Sequence, residues 1–130
     1  MKKITVQPLV GFANVTFGME RAKVRKLIDG FKKEFQKSPF DSTKVDDFGY
    51  CHIYYDGDDK CEAVEFFTDV EIQINGQKVS PGKVEAIKEI IPDLIEDEDG
   101  FWISNVSSIG ITAPDGTIET ILFGCVNYYL

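Results

Sequence analysis

The sequence predicts an α+β fold: two helix-plus-antiparallel-hairpin units in tandem, the helices packed on one face of a shared antiparallel sheet. Internal repetition is the first sign. Lys23-Val24-Arg25-Lys26-Leu27-Ile28 is answered by Lys83-Val84-Glu85-Ala86-Ile87-Lys88. Asp56-Gly57 is answered by Asp115-Gly116, and Cys61–Phe66 by Ile118–Phe123, at offsets of 60, 59 and 57 in order along the chain. Ordered self-similarity of this kind signals a duplicated supersecondary unit. The second sign is that helical periodicity and strand alternation follow one another with hairpin-length connections, which implies antiparallel pairing. The third is size: 130 residues, 43% hydrophobic, with ten Phe, five Tyr and one Trp, supply one core. Residues 1–130 therefore read as a single domain, with a pseudo-repeat over about 16–67 and 80–123.

Ile4 to Phe17 reads as extended, an edge strand and loop interrupted by Pro8 and Gly11. Helix one is predicted from Gly18-Met19-Glu20, with Met19, Val24, Leu27, Ile28, Phe31 and Phe35 as its apolar stripe and Glu20 in its first turn. Gly30 is an interior blemish or an early C-cap, and Ser38-Pro39 ends any helix. Phe40 to Phe48 reads as a polar connection. Gly49 to Tyr55 alternates as a strand, with Tyr50, His52 and Tyr54 on one face and Cys51, Ile53 and Tyr55 on the other. A turn at Asp56–Asp59 returns the chain along Lys60–Phe67. Val70, Ile72 and Ile74 mark a third strand, and Asn75-Gly76 is a type I′ hairpin signal leading into Gln77–Val79. Helix two is predicted with Ser80 as N-cap and Pro81 at its first position, carrying Val84, Ile87, Ile90, Ile91 and Leu94 and ending near Pro92. Glu96-Asp97-Glu98-Asp99-Gly100 reads as a solvated acidic turn. Strands follow at Phe101–Asn105, Ile109–Ala113 and Thr117–Tyr129.

Charge separates along the chain. Residues 1–44 carry ten Lys and Arg against four Asp and Glu, a net of +6, whereas residues 45–130 carry four against eighteen, a net of −14. Such an acidic field opposes nucleic acid and anionic membranes and favours a basic protein partner. No apolar run approaches a membrane helix and the N-terminus lacks a signal-peptide pattern, so a cytoplasmic location is expected. Three unclustered cysteines, Cys51, Cys61 and Cys125, read as free thiols, although Cys51 and Cys61 fall on adjacent strands of one hairpin.

Catalytic patterns are lacking. His52 is the only histidine, and its neighbour Cys51 points to the opposite strand face, so the two do not form a nucleophile–base pair. The cysteines lack zinc-site spacing, and the acidic clusters at Asp56 and Ile95 fail the calcium-loop pattern. No phosphate-loop, dinucleotide or nucleophile-elbow motif occurs. No cofactor, metal or catalytic residue is expected, and the chain reads as a non-enzyme.

Val15-Thr16-Phe17-Gly18-Met19-Glu20-Arg21-Ala22-Lys23-Val24, running into Leu27-Ile28, resembles the strand, Gly-Met, charged-pair opening of tandem helix-sheet proteins such as the β-lactamase inhibitor protein and outer-membrane assembly lipoprotein families. The chain shows neither the lipoprotein signal nor its cysteine, so that envelope role is not carried over. Asp47–Asp56 with Glu62–Phe67 is similar to a strand pair of small acidic immunity proteins from bacterial polymorphic-toxin systems. That resemblance implies a cytoplasmic, protein-binding inhibitor that masks a basic toxin or nuclease.

The candidate partner-binding residues are accordingly Asp56, Asp58 and Asp59 in one turn, Glu96, Asp97, Glu98 and Asp99 in the other, and Trp102 as an aromatic anchor. The competing readings are a small-ligand or enzymatic pocket between sheet and helices lined by Tyr50, His52 and Tyr54, and an oligomerising edge at the Asp69–Val79 hairpin. The matched positions of the repeat are apolar, while the charges differ: Arg25 and Lys26 give way to Glu85 and Ala86. Function is therefore sought where the two copies diverge.

Overall fold

A computed structural model describes residues 1–36, 38–40 and 43–130. The strands are β1 (Lys2–Gln7), β2 (Gly11–Phe12), β3 (Val15–Thr16), β4 (Lys33–Gln36), β5 (Lys44–Asp47), β6 (Cys51–Tyr55), β7 (Cys61–Phe66), β8 (Val70–Ile74), β9 (Gln77–Ser80), β10 (Ile95–Glu98), β11 (Phe101–Ser104), β12 (Ile109–Thr112) and β13 (Thr120–Gly124). Two short helices, α1 (Arg21–Leu27) and α2 (Val84–Lys88), interrupt them. One sheet runs β3-β2-β1-β8-β9 and the other β10-β11-β12-β13-β7-β6-β5-β4.

This corrects the predicted fold class. The chain is 48% strand and 9% helix, so it is mostly β, built on two sheets rather than on helices laid over one sheet. A second sheet supplies much of what the helices were expected to supply. Ile4 and Val6 of β1 and Val70, Ile72 and Ile74 of β8 join one core with Cys51, Ile53, Val64, Phe66, Ile111 and Phe123 of the large sheet. Phe12 of β2 meets Phe66 of β7 edge-on at 5.7 Å, which joins the two sheets.

Helix one stops early for a backbone reason. Ile28 is already extended (φ −124°, ψ 143°). Gly30 takes φ +101°, a conformation that suits glycine. The chain leaves the helix there, and Phe35, placed by spacing on the helical stripe, lies in β4 opposite Val45. Glu20 is the N-cap rather than a first-turn residue. In the stretch expected to be a polar connection, β5 forms; Asp41 and Ser42 of that stretch lie outside the described residues. Ser80 closes β9, and the N-cap of α2 is Lys83, without a side-chain cap. The acidic stretch at 95–98 is a strand, β10, and not a turn. Far from being an edge, β1 sits inside the small sheet and pairs in parallel with β8, Ile4 opposite Ile72. The Asn75-Gly76 turn has both residues at positive φ, 52° and 78°, as the hairpin reading requires.

Each helix is tied to a hairpin turn in the same way. Arg21 N–H donates to Asp59 O (3.1 Å) and Cys61 N–H to Met19 O (2.8 Å). In the second half Val84 N–H donates to Gly116 O (2.9 Å) and Ile118 N–H to Gly82 O (2.9 Å). The large sheet continues this relation, four strands on each side of the β7–β13 pairing. Among the described residues no helix is long and apolar enough to cross a membrane.

Candidate functional site

The outer face of the large sheet, away from the core, is where the chain departs from ordinary antiparallel patterning. A solvated sheet face usually carries polar residues. Here one cross-strand row reads His52, Glu65, Leu122, Gly110, Ile103 and Ile95, through the pairings His52–Glu65, Glu65–Leu122, Leu122–Gly110, Gly110–Ile103 and Ile103–Ile95. The neighbouring row holds Val45, Tyr54, Ala63 and Gly124. The first row continues past His52 to Asp47 on β5, so Glu65 is the carboxylate in the middle of the sheet and Asp47 the one nearer its edge.

Aromatic groups enclose Glu65. His52 lies between Phe35 and Phe67, with ring centroids at 5.1 and 4.8 Å, and its Nε2 is 3.6 Å from Asp47 Oδ1. The Tyr54 hydroxyl donates to Glu65 Oε1 at 2.9 Å. The segment after β13 then folds back over the face. A Cβ on Gly124 would lie 2.6 Å from Cβ and Cγ of Tyr128, and one on Gly110 would run into the Tyr129 hydroxyl. The two glycines thus open the trough in which these tyrosines, 5.2 Å apart and edge to face, are seated. Burial, and then the charge of Glu65, raises the Tyr54 hydroxyl. Burial, followed by Glu62, Cys125 and Glu65, pushes Tyr128 up to about 12. Tyr129 is raised by burial, then by Tyr128 and Glu65.

The predicted pocket of Tyr50, His52 and Tyr54 between sheet and helices does not form. His52 and Tyr54 face outward, whereas Tyr50 precedes the strand, beyond Gly49 at φ +85°. Its hydroxyl donates to Asp29 O at 3.5 Å and Lys2 Nζ lies 4.2 Å from its ring centroid.

The predicted acidic residues occupy two separate places. Thr112 lies opposite both Phe101 and Thr120, and Ile121 opposite Phe66. The β10–β11 turn therefore sits at the end of the sheet where β7 finishes. Tyr55 lies opposite Cys61, so Asp56, Asp58 and Asp59 sit at the other end. Asp56 Oδ1 accepts from the N–H of Asp58 (2.9 Å) and Lys60 (3.1 Å), shaping the turn. Asp59 accepts from Arg21 Nε at 2.7 Å. Asp58 is exposed and makes no ion pair among the described residues. All four residues of β10 are exposed. Asp97, Glu98 and Asp99 make no ion pair among the described residues, while Glu96 accepts from Gly100 N–H at 3.1 Å. Trp102 is half-buried against the core, and Lys88 Nζ stands 4.0 Å from its ring centroid.

Sequence reasoning missed a polar cluster on the core side. Asp46 is wholly buried beneath α1. It accepts from Arg25 Nε (2.8 Å) and Nη2 (2.6 Å), from Arg21 Nη1 (3.1 Å) and from the Tyr55 hydroxyl (2.9 Å). The helical i,i+4 spacing delivers both guanidiniums to one carboxylate. Glu34 and Lys44 complete the group. The Asp46 hydrogen bond raises Arg25 despite its burial, and the hydrogen bond from Arg25 lowers Glu34. Burial works against the charge of Arg21, but Asp59 and Asp46 outweigh it and the net shift is upward. An open cleft of about 450 Å³ adjoins this cluster, lined by Arg21, Glu34, Lys44, Asp56 and Asp59. Arg21, Arg25 and Lys44 here meet Glu34, Asp46 and Asp59 in ion pairs, with Asp56 beyond them, so the group holds α1 to the sheet and leaves no excess cation for an anionic ligand.

Cys51 lies opposite Phe66 and Cys61 opposite Tyr55, at different ends of the hairpin, so the two thiols do not face one another. Among the described residues no group of three or more His, Cys, Asp or Glu is placed to hold a metal ion. No protein-family model, no characterised protein and no solved structure matches this chain.

Proposed function

We propose that this chain is a protein-binding module that docks on a basic protein, and within that class an immunity protein acting in the cytoplasm that masks a basic toxin or nuclease. The observation that carries the reading is β10. This strand is the open edge of the large sheet, and its exposed residues Glu96, Asp97 and Glu98, with Asp99 beyond, are offset by no ion pair among the described residues. Lys88, over the ring of Trp102 that lies opposite Glu96, pairs with Glu85 at 3.1 Å. In the basic first half, Arg21, Arg25 and Lys44 are taken up by Glu34, Asp46 and Asp59. Among the described residues the four Lys and Arg side chains in ion pairs are Arg21, Arg25, Lys44 and Lys88, and none of them pairs with the acids of β10. Acidic surfaces of this kind steer a basic partner and compete with its anionic substrate. Asp58 extends the acidic surface at the other end of the sheet.

Affinity capture from bacterial lysate at low and high salt tests the proposal. A basic protein is retained at low salt, released as salt rises, and lost from a variant carrying Glu96→Lys, Asp97→Lys, Glu98→Lys and Asp99→Lys. Retention that is indifferent to salt and to the four reversals overturns it.

A further inference from the structure

Tyr54 and Tyr55 are neighbours on β6 that point to opposite faces, and each hydroxyl donates to a carboxylate at 2.9 Å: Tyr55 to Asp46 inside, Tyr54 to Glu65 outside. Inside, the arrangement has a third member. The Arg21 guanidinium lies 4.3 Å from the Tyr55 ring centroid while its Nη1 donates to Asp46 at 3.1 Å. Arg25 does the same with Phe31, at 4.1 Å, and Asp46. Outside, Glu65 has the tyrosine but no ion pair among the described residues.

We propose that the outer sheet face around Glu65 binds an arginine side chain of the partner, the guanidinium pairing with Glu65 and stacking on the tyrosine rings. The inference rests on the basic-partner reading and names where the partner's central cation goes. Three features support it. Glu65 is half-buried in the middle of the sheet, between His52 and Leu122, where a carboxylate gains more from a cation than at an exposed rim. Tyr128, held over Gly124, and Tyr129, over Gly110, stand close enough for the Glu65 charge to raise both hydroxyls. They provide flat, electron-rich walls for a planar cation. Arginine is favoured over lysine because its flat fork stacks and donates twice at once, whereas an ammonium is a compact, strongly hydrated point charge.

The test uses the full chain and N-acetyl-arginine N-methylamide as probe, read by tyrosine ring resonances in NMR. The expected result is saturable shifts of Tyr54, Tyr128 and Tyr129, with Tyr50 and Tyr55 still. Glu65→Gln keeps an acceptor for the Tyr54 hydroxyl but removes the charge, and is expected to weaken binding roughly ten-fold. Equal titration of Glu65→Gln and wild type, uniform drift of all five tyrosines, or tighter binding of the matching lysine probe overturns the assignment. The probe does not need the β10 edge. Failure here therefore leaves the basic-partner reading standing, and a variant with Glu96–Asp99 reversed that loses the partner while still titrating with the probe separates the two.

Discussion

Arg25 holds Asp46 through two parallel hydrogen bonds, Nε to Oδ2 at 2.8 Å and Nη2 to Oδ1 at 2.6 Å, with the carboxylate wholly buried. This fork-to-fork pair, with Arg21 and Tyr55 on the same carboxylate, joins a two-turn helix to β5. Breaking one side of a buried pair strands the other in a poor dielectric. Asp46→Ala is expected to cost about 3–5 kcal/mol by urea unfolding, with α1 the first element to lose amide protection. A cost below about 1 kcal/mol would place the pair among solvated surface contacts.

The cysteines are expected to be poor nucleophiles in the folded chain. Burial raises Cys51 and pushes Cys61 up to about 12, and it also raises Cys125, with Glu62 as the next cause. Thiol reagents need the thiolate. At pH 8, Cys125, the one not fully buried, is expected to label first, and Cys51 and Cys61 only after unfolding. Labelling of Cys61 at equal rates in buffer and in urea would contradict this.

Stability should fall in alkali. In the folded chain Cys61 and Tyr128 keep their protons up to about 12, and Tyr50, Tyr54, Tyr55 and Tyr129 are raised as well. Unfolded thiols and phenols ionise from about 8.5 and 10. Below those values both states hold the protons and the contribution is fully present. Above them the unfolded chain releases protons first, so stability is lost as pH rises from about 9 towards 12. The urea midpoint, measured from pH 7 to 11, is expected to stay level and then drop. A midpoint that holds or rises above pH 9.5 would contradict the burial assigned to these groups.

Gly124→Ala should cost more than Gly110→Ala. At Gly124 the new methyl meets Tyr128 Cβ and Cγ at 2.6 Å, close to the backbone, whereas at Gly110 it meets the far end of Tyr129. The first cannot be relieved by swinging the ring, and about 1–3 kcal/mol is expected by thermal unfolding; the second is relieved when Tyr129 tilts away. Tyr128→Ala placed in Gly124→Ala should recover part of the loss. Equal costs for the two alanines would show that the segment after β13 does not press on the sheet as described.

What the sequence disclosed was local. Alternation placed Cys51, Ile53 and Tyr55 inward and His52 and Tyr54 outward, and Asn75-Gly76 marked its turn, because each needs only neighbouring residues. The helix stripe misled because Phe31 and Phe35 fit helical spacing as well as a strand after Gly30, and only the positive φ at Gly30 decides between them. The parallel β1–β8 pairing joins segments some seventy residues apart and leaves no periodic trace, so the small sheet, and with it the β class, was not legible. For Asp46 and Glu65 the residue types were visible among 22 acids, but which face each took, and against which tyrosine, depended on the register of β5, β6 and β7.

The central claim, that the acidic β10 edge docks a basic protein, is tested most directly by the association rate of the captured partner in stopped flow between about 50 and 500 mM salt. The rate is expected to fall by roughly ten-fold or more across that range in the wild type, and the Glu96–Asp99 charge-reversed variant to start at the low value and stay there. A rate that ignores salt, or one that the reversed variant shares with the wild type at low salt, would contradict it.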